Sequence, residues 1–410
     1  MWTAHIASPV RGALSHVRVL DLSRVLAGPW ATQTLADFGA DVIKVERPQQ
    51  GDDTRGWAES WGVSGPHKQD KEGNNTKQSA YFLSANRGKR AITCDITRPE
   101  GQELIRQLAA KCDVVVENFK AGGLAKYGLD YASLKQTGPR KDQAGYDFLL
   151  QGMSGLMSIT GDPQGHPMKV GVAIVDIMTG LYATSSILAA LLERDAQSEG
   201  KREGQHIDLS LFDVSVAFLA NQASNYLVSG KAPQRMGNYH PNIAPYQSFE
   251  ASDGYFILAV GNDSQFAKFC ATAGKPELAA DPRFITNAKR VENRKALESE
   301  ITELTKRRTQ QDWIGALKEV GVPCGQVNDI AQAFSDPQLH HRNMFLHLDH
   351  PASGADAPVP LMNSPIHMSR TPPECRLPPP ALGEHTDEVL RELLSMRDAQ
   401  IQALRDRSVL

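Results

Sequence analysis

Two short apolar segments near the start of the chain, HVRVLD (His16–Asp21) and DVIKVE (Asp41–Glu46), restrict the possible folds more than anything else in the sequence. Both are too short for a stable helix and rich in β-branched residues, so both read as strands. Between them, LAGP supplies a tight turn and Trp30–Phe38 a helical pattern. Strand, turn, helix and strand within roughly 30 residues form a parallel crossover. A parallel sheet must be covered on both faces, which calls for a large α/β domain. Glu46 closes the second strand as an acid does in dinucleotide-binding units, but Leu26-Ala27-Gly28-Pro29 is not GxGxxG. Pro29 also removes an N–H that would face a phosphate. That unit is the whole case for an NAD-dependent dehydrogenase, and without its glycines the case is weak.

The pattern continues with a polar insertion, Ser64–Gln78, read as an exposed loop. A basic turn and strand follow over Ala85–Ile96, then an amphipathic helix over Pro99–Cys112 and a strand over Asp113–Phe119. A further strand is expected over His206–Leu211, with a helix from Asp213. From about Tyr226 the chain becomes turn-rich. It then gives a hairpin (Gln247–Phe249 with Tyr255–Val260) and helices near Ser264–Gly274, Ala296–Arg307 and Gln311–Val320. These belong to a second, smaller α+β domain. A Pro-rich linker, Thr371–Pro380, leads to a helix starting near Thr386. We place the large domain at 14–222, the small domain at 223–330, and a linker and C-terminal part completing the large domain at 331–410.

With 410 residues, 41% of them hydrophobic, the chain is long enough for two cores. Its net charge of −3 gives no footprint for nucleic acid or a polybasic membrane surface. No apolar run approaches the ~18 residues of a membrane span. Five scattered cysteines without CxxC or Cys/His spacing indicate reduced thiols and no metal site. The first 18 residues lack acids and an apolar h-region, so a cytoplasmic location is expected, with the mitochondrial matrix as the alternative in a eukaryote.

One carboxylate stands apart. Asp176 lies between the apolar run GVAIV and a long helical pattern, downstream of a Gly- and Pro-rich loop starting at Gly161. Asp is an ordinary N-cap, yet a lone carboxylate in apolar surroundings also suits a nucleophile. Arg87, Lys89 and Arg90 are similarly open: solvated charges, or phosphate ligands at a strand start. His340-His341 has no metal-ligand spacing.

The segments RVLDLSRVLAGPWATQTLADFGADVIKVERP, NRGKRAITCDI, DVVVENF, AGYDFLLQGMSGLMSITG, GVAIVDIMTGLYA, GVPCGQV and LGEHTDEVL run in order from about Val17 to Leu394. They resemble the class III CoA-transferases, and GDDTRGW, GNYHPNIAPYQSFEASDGYF and FITNAKRVENRK resemble the succinate–hydroxymethylglutarate branch. The resemblance implies a Rossmann-like large domain with a parallel sheet, a small α+β domain, and a homodimer of interlocked rings. It implies that Asp176 is the nucleophile and that the substrates are an acyl-CoA and a carboxylic acid, with no other cofactor or metal. It places CoA contacts at Ala27, Arg47, Ala85, Asn86, Arg87, Gly88, Lys89, Asn118, Phe119 and Lys126. Arg235, His240 and Tyr246 are candidates for the acceptor acid. One departure is plain: family members carry a strand and a Gly turn between the positions of Lys135 and Gln136, which here are adjacent. That leaves an inactive shortened relative as a rival reading. A 2-methylacyl-CoA racemase is another, although Gly145-Tyr146-Asp147 stands where racemases carry a His. Tyrosine, with a pKa near ~10, is a poor base at neutral pH.

Overall fold

The computed structural model describes residues 12–61, 79–120, 122–131, 143, 145–198, 200–348 and 359–410. The Ser64–Gln78 insertion and the Lys135–Gln136 junction lie outside the described residues. The chain divides into two compact units.

The first unit comprises residues 1–150, Val172–Phe218 and Pro337–Leu410. Its strands β1 (Arg18–Asp21), β2 (Asp41–Glu46), β3 (Lys89–Thr93) and β4 (Val114–Val116) form a parallel sheet in the order β3-β2-β1-β4. This is the α/β architecture that the opening crossover demanded. Alternation along each strand sends residues to two covered faces. Leu20, Ile43 and Ile92 meet helix α3 (Pro99–Ala109), and the same cluster takes Val389, Leu390 and Ile401 from the C-terminal end of the chain. Val19 and Val42 meet α1 (Ala27–Asp37) and α6 (Ile174–Ala196) through Leu35, Ala36, Ile187 and Leu191.

The expected strand at His206–Leu211 is not formed: residues 201–210 carry no regular structure, and helix α7 (Leu211–Ala217) starts there with Ser210 as its cap. Alternating Ile207, Leu209 and Leu211 supply the right periodicity, but a strand exists only on a ladder partner. Among the described residues β4 is the edge of its sheet, and Val115 is 48% exposed there.

The second unit comprises Gln151–Gly171 and Leu219–Asp336. Strands β5 (Tyr246–Ala251), β6 (Gly254–Ala259) and β7 (Cys324–Gln326) form an antiparallel sheet. Phe256 stacks on Trp313 at 6.2 Å, and Phe249, Phe266, Phe269 and Leu297 fill the same core.

Candidate active site

Asp176 is the third residue of α6, whose N-cap is Ala173, a residue with no side-chain oxygen to offer. The carboxylate is therefore not the helix starter. That role falls to Asp147, the first residue of helix α4 (Asp147–Met153). Its Oδ1 accepts the Val175 N–H at 2.7 Å and the Asp176 N–H at 3.4 Å. With the orphan donors satisfied from outside, the Asp176 side chain is left available for chemistry. Burial, reinforced by the Asp147 charge, pushes the Asp176 carboxyl up to about 7.

The position of α6 is set by close packing on α1. Gly180, one turn after Asp176, lies so near α1 that a Cβ there would stand 2.8 Å from the Ala27 carbonyl and 3.1 Å from the Trp30 Cβ. Thr184 Oγ1 donates to the Ala31 carbonyl at 3.4 Å a turn later. The start of α1 has no side-chain cap, and the N–H groups of Leu26, Ala27 and Gly28 have no partner among the described residues. Tyr81 completes this group. Its hydroxyl is pushed up to about 12 by burial and by the charges of Asp176, Asp147 and Asp52, and Trp57 meets its ring edge-on at 5.0 Å. The sequence offered no sign of Tyr81 or of Asp147's role.

A cationic cluster occupies the C-terminal ends of β1, β2 and β4, where open α/β sheets bind ligands. Arg24 and Arg47 share Asp53, leaving a net charge of about +1. The Arg24 guanidinium lies 5.1 Å from the Phe119 ring centre. Asn118 accepts the Arg24 N–H at 2.8 Å and donates back to its carbonyl at 2.6 Å. Arg24 Nε is buried and has no hydrogen-bond partner, which suits an anionic group supplied by a ligand. The structure thus brings Arg47, Asn118 and Phe119 together and adds Arg24. Ala27 sits at the start of α1, and Lys126 is exposed, its ammonium 4.7 Å from the Tyr127 ring centre.

The Ala85–Lys89 turn differs from the phosphate-binding expectation. Arg87 makes a bidentate pair with Asp37, and both side chains are buried. Lys89 is fully buried, donating to Asp21 at 3.1 Å, Asn86 at 2.8 Å and the Pro29 carbonyl at 3.0 Å; burial pulls its ammonium down to about 8. Arg90 is held by Asp41, Glu388 and Glu392. Ala85 and Asn86 are buried, and Gly88 takes φ +77°, which lets its N–H reach the Leu377 carbonyl at 2.8 Å. These charges anchor the sheet from inside, so their donors are engaged.

In the second unit Arg235 donates to the carbonyls of Asp162 and Gly165, closing the turn between them. His240 lies 5.2 Å from the Tyr246 ring.

A parallel sheet covered on both faces, a half-buried carboxylate poised near neutrality and a cationic cluster at the strand ends define an α/β enzyme acting on an anionic substrate. Comparison with known proteins makes this specific. The model of CoA-transferase family III matches residues 14–386. A succinate–glutarate CoA-transferase of Agrobacterium fabrum is 48% identical, the match covering 93% of this chain and 95% of that one. A human succinyl-CoA:glutarate CoA-transferase is 40% identical, with 98% and 92% covered. A crystal structure of a CaiB/BaiF family protein from Brucella suis superposes with a TM-score of 0.79 at 47% identity, covering 93% and 100%. The chain belongs to CoA-transferase family III and is a CoA-transferase.

Proposed function

We propose that this enzyme moves CoA from succinyl-CoA to a dicarboxylate such as glutarate, with Asp176 as a transient acyl carrier. The observation that carries the mechanism is a half-buried carboxylate relieved of helix capping and held near neutrality. Ionised Asp176 attacks the thioester carbonyl, forming a mixed anhydride and releasing the CoA thiolate. The thiolate attacks the aspartyl carbonyl, which frees succinate and leaves an aspartyl-CoA thioester. The acceptor carboxylate then attacks that carbonyl, again expelling thiolate. Return of the thiolate to the acceptor's acyl carbon yields the new thioester and regenerates Asp176. Each tetrahedral oxyanion needs N–H donors, and the unpartnered N–H groups at the start of α1 supply that chemistry. CoA phosphates pair with Arg24 and Arg47, with Phe119 beside them. The substrate pair follows the relatives' names; the interlocked homodimer follows the family resemblance, and the exposure of Leu227 (80%) and Val228 (90%) supports a buried partner surface. A racemase is disfavoured because the position where racemases carry a His is Tyr146, a poor base at neutral pH whose side chain is 69% exposed.

The test is mass spectrometry of the protein mixed with succinyl-CoA, followed by peptide mapping. A CoA adduct on Asp176, absent from Asp176→Asn, is expected. Transfer activity surviving in Asp176→Ala overturns the mechanism, whereas transfer to monocarboxylates alone overturns only the substrate assignment.

A further inference from the structure

Val25 stands in the left-handed region at φ +68°, the one β-branched residue with positive φ among the described residues. A β-branched side chain is strongly disfavoured there, and such conformations persist only where surroundings enforce them. Glycine would take this conformation without strain. Instead, three consecutive residues are gripped by side chains from around the sheet. The Lys44 ammonium donates to the Ser23 carbonyl at 3.0 Å. Asn118 brackets Arg24 on both backbone groups. The Val25 N–H donates to both carboxylate oxygens of Asp52 at 3.2 Å. Asp52 is itself fixed, fully buried against Lys44 at 2.9 Å and accepting the Thr54 N–H at 3.0 Å and its hydroxyl at 2.8 Å.

This loop delivers the chain into α1, whose Ala27 carbonyl packs against Gly180, one turn from Asp176. We propose that Asp52 is a positioning residue for CoA transfer: through the Val25 N–H it holds the 23–27 loop strained, so that the open N–H groups of Leu26 to Gly28 stay fixed beside the Asp176 helix. The proposal rests on the reading of Asp176 as nucleophile. Asp52 acts on the loop through the Val25 backbone N–H. Preorganised donors matter most for the transition state, so relaxing the loop lowers kcat and leaves acyl-CoA binding at the arginine cluster intact.

The test compares wild type, Asp52→Ala and the pair Lys44→Met/Asp52→Leu, each with and without Val25→Gly. The apolar pair removes the Val25 acceptor without leaving Lys44 buried and unpaired, a replacement that buried ion pairs often tolerate. It keeps the test alive if Asp52→Ala fails to fold. Loss of the acceptor is expected to lower kcat about tenfold while KM for succinyl-CoA changes less than threefold. Adding Val25→Gly, which adopts positive φ freely, is expected to restore at least threefold of that loss. A variant lacking the acceptor with wild-type kcat overturns the proposal, as does a loss that Val25→Gly leaves unrelieved, since that assigns Asp52 a structural role through Lys44. A wild-type protein that transfers no CoA overturns the underlying reading instead, and the wild-type arm reports that separately.

Discussion

The carboxylate of Asp147 caps the helix that carries Asp176, its Oδ1 standing 2.7 Å from the Val175 nitrogen and 3.4 Å from that of Asp176 itself. One side chain thereby does two opposed things: it stabilises the helix end, and it opposes ionisation of the neighbouring carboxylate.

Those two roles separate by substitution. Asp147→Asn keeps an oxygen acceptor for the Val175 N–H but removes the charge. The Asp176 carboxyl should then ionise more easily, moving the acidic limb of the kcat/KM profile down by about one pH unit. Asp147→Ala removes the cap as well, which costs about 1 kcal/mol and lowers Tm by roughly 2–4 °C. pH–rate profiles and thermal unfolding of the two variants check this; identical profiles for wild type and Asp147→Asn refute the electrostatic part.

The raised Asp176 carboxyl also links activity and stability to pH in opposite directions. A nucleophile must be ionised, so kcat/KM should rise about tenfold per pH unit on the acid side and level off above about 7. The native state holds a proton on Asp176 that the unfolded chain, with its carboxyl near 3.8, has released. This stabilising contribution is fully present below 3.8 and is lost as pH rises through about 7. Asp176→Asn carries no such loss, so it should match wild type at pH ~4 and melt several degrees higher above pH ~7. Calorimetry at both pH values decides the matter.

What sequence reasoning reached, and what it did not, follows from how far apart the interacting residues lie. β1 and β2 were legible because a parallel strand covered on both faces is largely apolar and β-branched. Asp176 stood out because its neighbours are apolar. Its cap did not, because Asp147 lies 28 residues before Val175 and only folding brings the two together. The 85–90 segment suggested solvated charges or phosphate ligands because Arg and Lys are rarely buried unpaired. Their partners, Asp37 for Arg87 and Asp21 for Lys89, lie 50 and 68 residues away. His206–Leu211 shows the converse: the alternation is genuine, but the strand depends on a neighbour that the segment itself does not contain.

The difference between anchoring cations and those proposed to bind CoA predicts different outcomes for two substitutions. Lys89→Met leaves Asp21 fully buried without its cation, and breaking such a pair costs ~3–5 kcal/mol. Soluble yield and Tm should fall sharply. Arg47 is half-exposed on an exposed Asp53, where an ion pair is worth ~0–1 kcal/mol. Arg47→Ala should therefore leave Tm nearly unchanged while raising KM for succinyl-CoA about tenfold. Unaltered KM in Arg47→Ala would remove that residue from the CoA site.

Gly180 provides the last test, because two effects of known sign oppose each other there. Replacing a mid-helix glycine by alanine usually favours the helix by ~1 kcal/mol. Here the added methyl meets the Ala27 carbonyl at 2.8 Å, a backbone atom that cannot swing aside, with Trp30 atoms at 3.1 and 3.2 Å behind it. Overpacking of this kind costs ~1–3 kcal/mol, so the clash outweighs the propensity gain. Relief requires α1 and α6 to part by several tenths of an ångström, which also moves the start of α1 relative to Asp176. Gly180→Ala should accordingly lower both Tm and kcat, whereas Gly171→Ala, which meets nothing within 4 Å, should not lower Tm. A Gly180→Ala enzyme with raised Tm and full kcat would mean that the spacing between these two helices does not govern the reaction.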